Sequence, residues 1–160
     1  MIRAAKQGAA KGLWSLDDVA IAAAPGRTRA DYALAEASGI AVTFGHTHDM
    51  LKRSQFAWVA SGTATLEAAL LGTPHVIVYK TSALTYFMAK QLVKVKFIGL
   101  PNLLLNREVV PELIHDSLSA EALLHQSSLD RSTQQQAFKD VRHALGLSLI
   151  HISEPTRHHV

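Results

Sequence analysis

Short apolar runs alternate with longer segments of helical spacing along this chain, and that alternation carries the fold prediction. Val19-Ala20-Ile21-Ala22-Ala23-Ala24 is apolar throughout and is stopped by Pro25-Gly26, as expected of a strand buried on both faces of a parallel sheet. Asp31 to Ala37 follows as a helix closed by Ser38-Gly39, and Ile40 to Phe44 as a second strand ended by Gly45. Asp49 to Ser54 predicts a short helix, Phe56 to Ala60 a third strand, and Gly62 to Leu71 a helix closed by Gly72. His75 to Tyr79 is a fourth strand directly after Pro74. Strands separated by helices of this length predict an α/β fold: a Rossmann-like parallel sheet flanked by helices, with right-handed crossovers.

The flanks read differently. Ile2 to Leu13, Ala-rich with Lys6 and Lys11 spaced along it, predicts an amphipathic helix with no N-cap before it. Beyond Tyr79, Leu84 to Val93 predicts an apolar helix edged by Lys90, Lys94 and Lys96, and Lys96 to Gly99 one more short strand. Leu100 to Arg107 is a Pro-stiffened loop entering a helix over Glu108 to His115; Ala120 to His125 and Arg131 to Leu145 complete a helical C-terminal segment. Leu147 to Arg157 looks like the translation of the transposon adapter used to prepare sequencing libraries. Residues 1–146 are therefore expected to form the natural domain, and 147–160 an adapter-derived, unstructured tail.

Composition narrows the function classes. A chain of 160 residues predicts one domain, and 48% hydrophobic against 18% charged residues predicts a packed globular core. The lack of cysteine excludes disulfide frameworks, Cys-based zinc sites and thiol nucleophiles, and suits a reducing cytoplasm. Lys+Arg 16 against Asp+Glu 13 gives +3, a mildly basic balance compatible with an acidic ligand or an anionic membrane surface but without the basic density of nucleic-acid binding. No apolar run approaches the ~18 residues of a spanning helix. The nine histidines are conspicuous, but three of them, His151, His158 and His159, belong to the tail.

Ser61-Gly62-Thr63-Ala64-Thr65-Leu66-Glu67 lies where a buried strand hands over to a helix, at the carboxyl edge of the sheet where open α/β folds bind ligands. Ser61 can cap the helix, Gly62 lets a ligand approach the backbone, and free N–H groups with the helix dipole favour a phosphate. Thr63 and Thr65 can add hydroxyl donors. Glu67 is not at the capping-box position and leaves a carboxylate for a vicinal diol such as ribose; the plain alternative is an ordinary N-cap with a solvated Glu. In the block Leu100 to Leu113, Asn102, Asn106, Arg107 and Glu108 are set among apolar residues and can aim amides and charges at a sugar or pyrophosphate. The alternative there is Asn106 as a helix cap with Arg107 and Glu108 as surface charges. His46-Thr47-His48-Asp49 lacks a third ligand in suitable spacing, so no metal is expected and Asp49 is read as a helix cap. Pro25-Gly26-Arg27-Thr28-Arg29 lacks the Gly-Lys-Ser/Thr ending of a phosphate-gripping loop.

The two blocks together, Ala60 to Glu67 followed by Tyr79-Lys80-Thr81, and Leu100-Pro101-Asn102-Leu103 through Arg107-Glu108-Val109-Val110-Pro111-Glu112-Leu113, resemble the lipid-A-disaccharide synthase family. The resemblance extends from about Val19 to Gly146 and takes in the basic helix over Phe87 to Val95. It implies the C-terminal, donor-binding half of a GT-B glycosyltransferase that moves 2,3-diacylglucosamine from its UDP conjugate to 2,3-diacylglucosamine 1-phosphate, with inversion and release of UDP. Phosphate is then expected at Ser61 to Thr65, ribose at Glu67, uracil at the backbone around Phe44-Gly45-His46, and the sugar and pyrophosphate side at Asn102, Asn106 and Glu108. No cofactor is implied. The acceptor site and general base belong to an N-terminal domain not found in this sequence, so the chain alone is expected to be inactive. The family context implies a cytoplasmic protein peripheral to the inner membrane of a Gram-negative bacterium, with room for homo-oligomerisation of the full-length enzyme. Other readings are the donor domain of another GT-B nucleotide-sugar enzyme, such as a peptidoglycan transferase or an epimerase, and a non-catalytic α/β binding module. The apolar, basic segment Leu84 to Lys96 suits either an anionic membrane or packing against another domain or subunit.

Overall fold

The computed structural model describes residues 1–92 and 96–153. Among the described residues five short strands run as β1 (Ala20–Ala22), β2 (Ala41–Thr43), β3 (Ala57–Ala60), β4 (His75–Tyr79) and β5 (Glu112–Ile114). All pairings are parallel: β1 with β2 in one sheet, and β3, β4 and β5 in that order in another. The α-helices among the described residues are α1 (Ile2–Ala10), α2 (Ala33–Ala37), α3 (Thr47–Arg53), α4 (Thr63–Leu71), α5 (Ala83–Leu92), α6 (Leu100–Leu105), α7 (Ala120–Ser128) and α8 (Ser132–Ser153). The α/β class expected from the alternation is the class observed.

Period-two alternation along β4 divides the core between two faces. Val76 and Val78 point into a cluster with Ala4 of α1, Leu113 of β5 and Leu123 of α7. Ile77 points the other way, onto Ala69 of α4 and Ala137, Phe138 and Val141 of α8, with Leu105 of α6 alongside. Ala5 of α1 and Ala35 of α2 pack with Ile21, Val42 and Trp58, so the first face continues over the two-stranded sheet. Helices of β1-α2-β2 and β3-α4-β4 thus cover opposite faces. The two sheets meet without strand pairing, β1 and β2 in one and β3, β4 and β5 in the other, and the helices on both faces are those of a Rossmann-like layering. Trp58 spans that junction, its ring edge-on to Trp14 at 6.1 Å and its indole N–H donating to Ser127 Oγ at 2.9 Å.

Three predicted elements are corrected. Lys96 to Gly99 forms no strand, Leu100 to Leu105 is a helix and not a loop, and the helix expected over Glu108 to His115 is replaced by β5. One side chain organises all three. Glu112 on β5 accepts the backbone N–H groups of Ile98 (3.0 Å) and Gly99 (2.8 Å), capping the start of α6, and also Asn102 Nδ2 at 2.9 Å. The predicted cap Asp49 is likewise displaced: α3 begins at Thr47 after His46, with Asp49 in its first turn. Helix α8 continues through Leu147–Ser153, so these seven residues are helical where an unstructured tail was expected; residues 154–160 lie outside the described residues.

Candidate functional site

Parallel strands bring their carboxyl ends to one edge, and there β3 and β4 deliver Ser61-Gly62 and Tyr79-Lys80 side by side. The register pairs Ala60 with Val78, and Ser61 N–H donates to the Val78 carbonyl at 3.1 Å. Ser61, Tyr79 and Lys80 line an open cleft of about 450 Å³ over Ala60 and Val78. Helix α4 starts immediately behind it. Its N-cap is Gly62, not Ser61, with φ +136°, a backbone shape that L side chains rarely adopt. A Cβ at Gly62 would meet nothing within 4 Å, so steric room for a ligand exists above the turn. The first-turn N–H groups have no intrahelical acceptor and carry the positive end of the helix dipole; the residues that line the cleft, which also include Met1 and Leu118, reach Ser61 but none of α4. Lys80 adds a side-chain cation, exposed and beside the amino group of Met1, whose pKa is lowered by partial burial and then by the Lys80 charge. Among the described residues no carboxylate lines the cleft.

The predicted site residues separate into two groups. Ser61 is half-buried at the cleft, and Gly62, Thr63 and Glu67 are exposed. Thr63 and Glu67 stand four residues apart on one face of α4, so a hydroxyl and a carboxylate rise in line from the helix start. Thr65 is different: it is fully buried and its hydroxyl donates back to the Gly62 carbonyl at 2.7 Å. It stabilises the turn and presents nothing to a ligand.

The second block lies elsewhere. Asn102 is fully buried, with Nδ2 donating to the Val110 carbonyl (2.7 Å) and to Glu112, and Oδ1 accepting from the N–H groups of Val109 (2.8 Å) and Val110 (2.9 Å). Four bonds exhaust the amide's capacity. Asn102 therefore anchors the approach to β5 instead of touching a sugar. Asn106 is the left-handed C-cap of α6 (φ +50°), and Glu108 is exposed just beyond it. Both precede β5, which runs parallel to β4, so they lie towards the amino end of the sheet, the end opposite the cleft. Arg107 beside them pairs with Asp140 of α8 at 2.6 Å.

Phe44 and Gly45 end β2 as expected, Phe44 edge-on to Tyr32 at 5.9 Å and Gly45 with φ +79°. They are not, however, on the strand end next to Ser61. β2 pairs only with β1, and the neighbour of β3 at the cleft is the end of β4. Cleft residues that sequence reasoning did not assign include Tyr79 and Lys80, whose available signal was a Tyr-Lys pair directly after the Val76-Ile77-Val78 run, and Met1 and Leu118, which carried no such signal. Among the described residues no group of three His, Asp or Glu side chains is placed to hold a metal ion.

A parallel sheet with helices on both faces, and an open cleft at its carboxyl edge, define a Rossmann-like α/β domain. Comparison with known proteins is specific. A family model described as lipid-A-disaccharide synthetase matches residues 31–156, and the chain belongs to that family. Similar proteins named lipid-A-disaccharide synthase include one from Sulfurihydrogenibium sp. (strain YO3AOP1), 50% identical over 70 residues, covering 44% of this chain and 18% of that protein. Another from Pseudomonas aeruginosa (strain LESB58) is 46% identical over 101 residues, 62% of this chain and 27% of the relative. A third from Pseudomonas putida (strain GB-1) is 40% identical over 104 residues, 63% of this chain and 28% of the relative. The matched segments thus span between 18% and 28% of these curated relatives.

Proposed function

We propose that this chain supplies the nucleotide-sugar donor half of a GT-B glycosyltransferase of lipid A assembly. In this reading it holds UDP-2,3-diacylglucosamine while 2,3-diacylglucosamine is transferred, with inversion, to 2,3-diacylglucosamine 1-phosphate. Residues 1–146 form that half, and 147–160 are adapter-derived. The supporting observation is the exposed start of α4, with first-turn N–H groups at Gly62–Ala64 and Thr63 and Glu67 in line, together with Lys80 beside Ser61 at the adjoining strand end. A pyrophosphate at this end gains hydrogen bonds and the helix dipole, while Lys80 offsets its charge. The Glu67 carboxylate, one turn on, accepts two hydrogen bonds from the ribose diol.

An inverting transfer needs two things from the protein: a base that takes the proton of the attacking hydroxyl, and stabilisation of the departing UDP. The α4 terminus and Lys80 meet the second need. The base is assigned to another part of the full enzyme, which acts at the cytoplasmic face of the inner membrane of a Gram-negative cell.

Calorimetric titration of UDP into the whole chain tests the reading. Binding is expected for the parent, with a loss of roughly tenfold or more in Glu67→Ala, since a hydrogen bond to a charged group contributes about 1.5–3 kcal/mol. Equal affinity of the two proteins, or none in a folded parent, overturns the assignment of Glu67 and the cleft.

A further inference from the structure

At the carboxyl edge of the sheet, β5 hands over to a residue with an uncommon backbone. His115 has φ +48°, a left-handed shape that is rare outside glycine and persists where surrounding contacts fix it. It begins a single 3-10 turn over His115–Ser117, closed by the Leu118 N–H donating to the His115 carbonyl at 3.2 Å. Its ring reaches across to the segment that follows β4. Nδ1 lies 3.1 Å from the Thr81 carbonyl, which only accepts, so Nδ1–H is the donor. The ring also stacks on Tyr86 of α5, with 5.3 Å between centroids and 20° between planes, and the side chain is only 18% exposed. Nε2 lies 3.4 Å from the carboxylate of Asp116, whose 95% exposure leaves that contact weak.

These contacts bracket Lys80. The residue before it, Tyr79, pairs with Ile114 in the β4–β5 ladder, and the carbonyl of the residue after it, Thr81, is held by His115. Lys80 itself is exposed and lines the cleft beside Ser61. A lysine ammonium sits on a flexible four-carbon stem, so the backbone from which the stem leaves decides where the charge is concentrated. The turn begun by His115 also delivers Leu118 to the same cleft. We infer that His115 is a positioning residue for the donor pyrophosphate: it fixes the Lys80–Thr81 backbone and, through it, the direction in which the Lys80 ammonium meets the phosphates. Its ring faces Thr81 and Tyr86 and acts on the ligand only through Lys80. The inference rests on the reading of the cleft as the donor site and of Lys80 as a phosphate contact.

Titration of the whole chain with UDP by calorimetry, and with uridine by nuclear magnetic resonance, separates positioning from general stability, because uridine lacks the phosphates that Lys80 meets. His115→Gly keeps the left-handed backbone and removes the ring. Its melting temperature is expected to stay within about 5 °C of the parent's. Its UDP affinity is expected to fall roughly fivefold and its uridine affinity by less than about twofold. His115→Asn tolerates the same backbone and returns a donor at the δ position, so UDP affinity is expected to recover to within about twofold of the parent's. In a Lys80→Gln background, His115→Gly is expected to lower UDP affinity by no more than about 1.5-fold, since both changes act through one contact. Unchanged UDP affinity in His115→Gly, equal losses for UDP and uridine, an Asn variant as weak as the Gly one, or additive losses with Lys80→Gln overturns this inference and leaves the donor site in place. So does a Gly variant that no longer folds, because His115 is then a scaffold residue. Absence of UDP binding by the folded parent, or a Lys80→Gln variant that binds UDP as well as the parent, overturns the donor reading of the cleft and this inference with it.

Discussion

His75 opens β4 with its side chain wholly buried, its ring stacked on Phe138 at 5.5 Å. Nδ1 lies 2.8 Å from the Thr73 carbonyl, which only accepts, so Nδ1 carries the proton and Nε2 is an acceptor; Nε2 has no hydrogen-bond partner. The side chain of Gln134 brackets the residue from α8, accepting its N–H and donating to its carbonyl, both at 2.8 Å. A neutral imidazole is tolerated here and an imidazolium is not. Burial lowers the pKa from 6.5 to about 4, against the carbonyls of Thr73 and Thr65, which favour the charged ring. Because the folded-state value is depressed, the unfolded chain binds the proton more readily, so stability is fully present above pH 6.5 and is lost as pH falls towards 4. At about 1.4 kcal/mol per pH unit across that interval, the loss on reaching pH 4 is about 3 kcal/mol, a large part of the roughly 5–15 kcal/mol of an ordinary domain.

Urea unfolding from about pH 7.5 to about pH 4, a range that brackets the shift of His75, isolates this contribution in the parent and in His75→Asn, since carboxylates titrate alike in both. The variant is less stable at neutral pH because its smaller side chain leaves a cavity, but it loses about 3 kcal/mol less than the parent on acidification. Parallel stability-versus-pH curves for the two proteins would refute the claim that burial keeps His75 neutral.

Two further substitutions separate a buried polar anchor from a surface pair. Asn102→Leu removes four hydrogen bonds and strands the N–H groups of Val109 and Val110 in the interior; about 3 kcal/mol or more of unfolding free energy should disappear, and a loss below about 1 kcal/mol in chemical denaturation would contradict the anchoring role. Arg107→Ala breaks a pair whose members are 52% and 60% exposed despite the 2.6 Å contact, so a change under about 1 kcal/mol is expected by the same assay, and a larger one would show that the pair holds α8 to the approach to β5.

The elements legible in the sequence are those whose signal is local. β1 to β4 are continuous apolar runs between turn residues, and α4 is bounded by Gly62 and Gly72, each at a positive φ (136° and 77°) that glycine alone adopts freely. The cleft followed from the same signals, because a strand-to-helix handover at a parallel sheet's carboxyl edge is a matter of chain order. Val109-Val110-Pro111-Glu112-Leu113-Ile114 is a short apolar run that suits helix or strand equally. Its choice of strand depends on edge N–H and C=O groups of β4 becoming available, and on Glu112 finding the open N–H groups of Ile98 and Gly99. Asn102 and Thr65 illustrate the same division. Their chemistry suits a ligand, and whether an amide or hydroxyl turns outward or inward depends on which backbone groups lie within about 3 Å in the folded chain. Residue type and spacing were thus enough to place a glycine turn at the start of α4 with Thr63 and Glu67 on one face of that helix. Packing alone turned Asn102 of the second polar block into the scaffold, because contacts between residues distant in the chain arise only when the layers close.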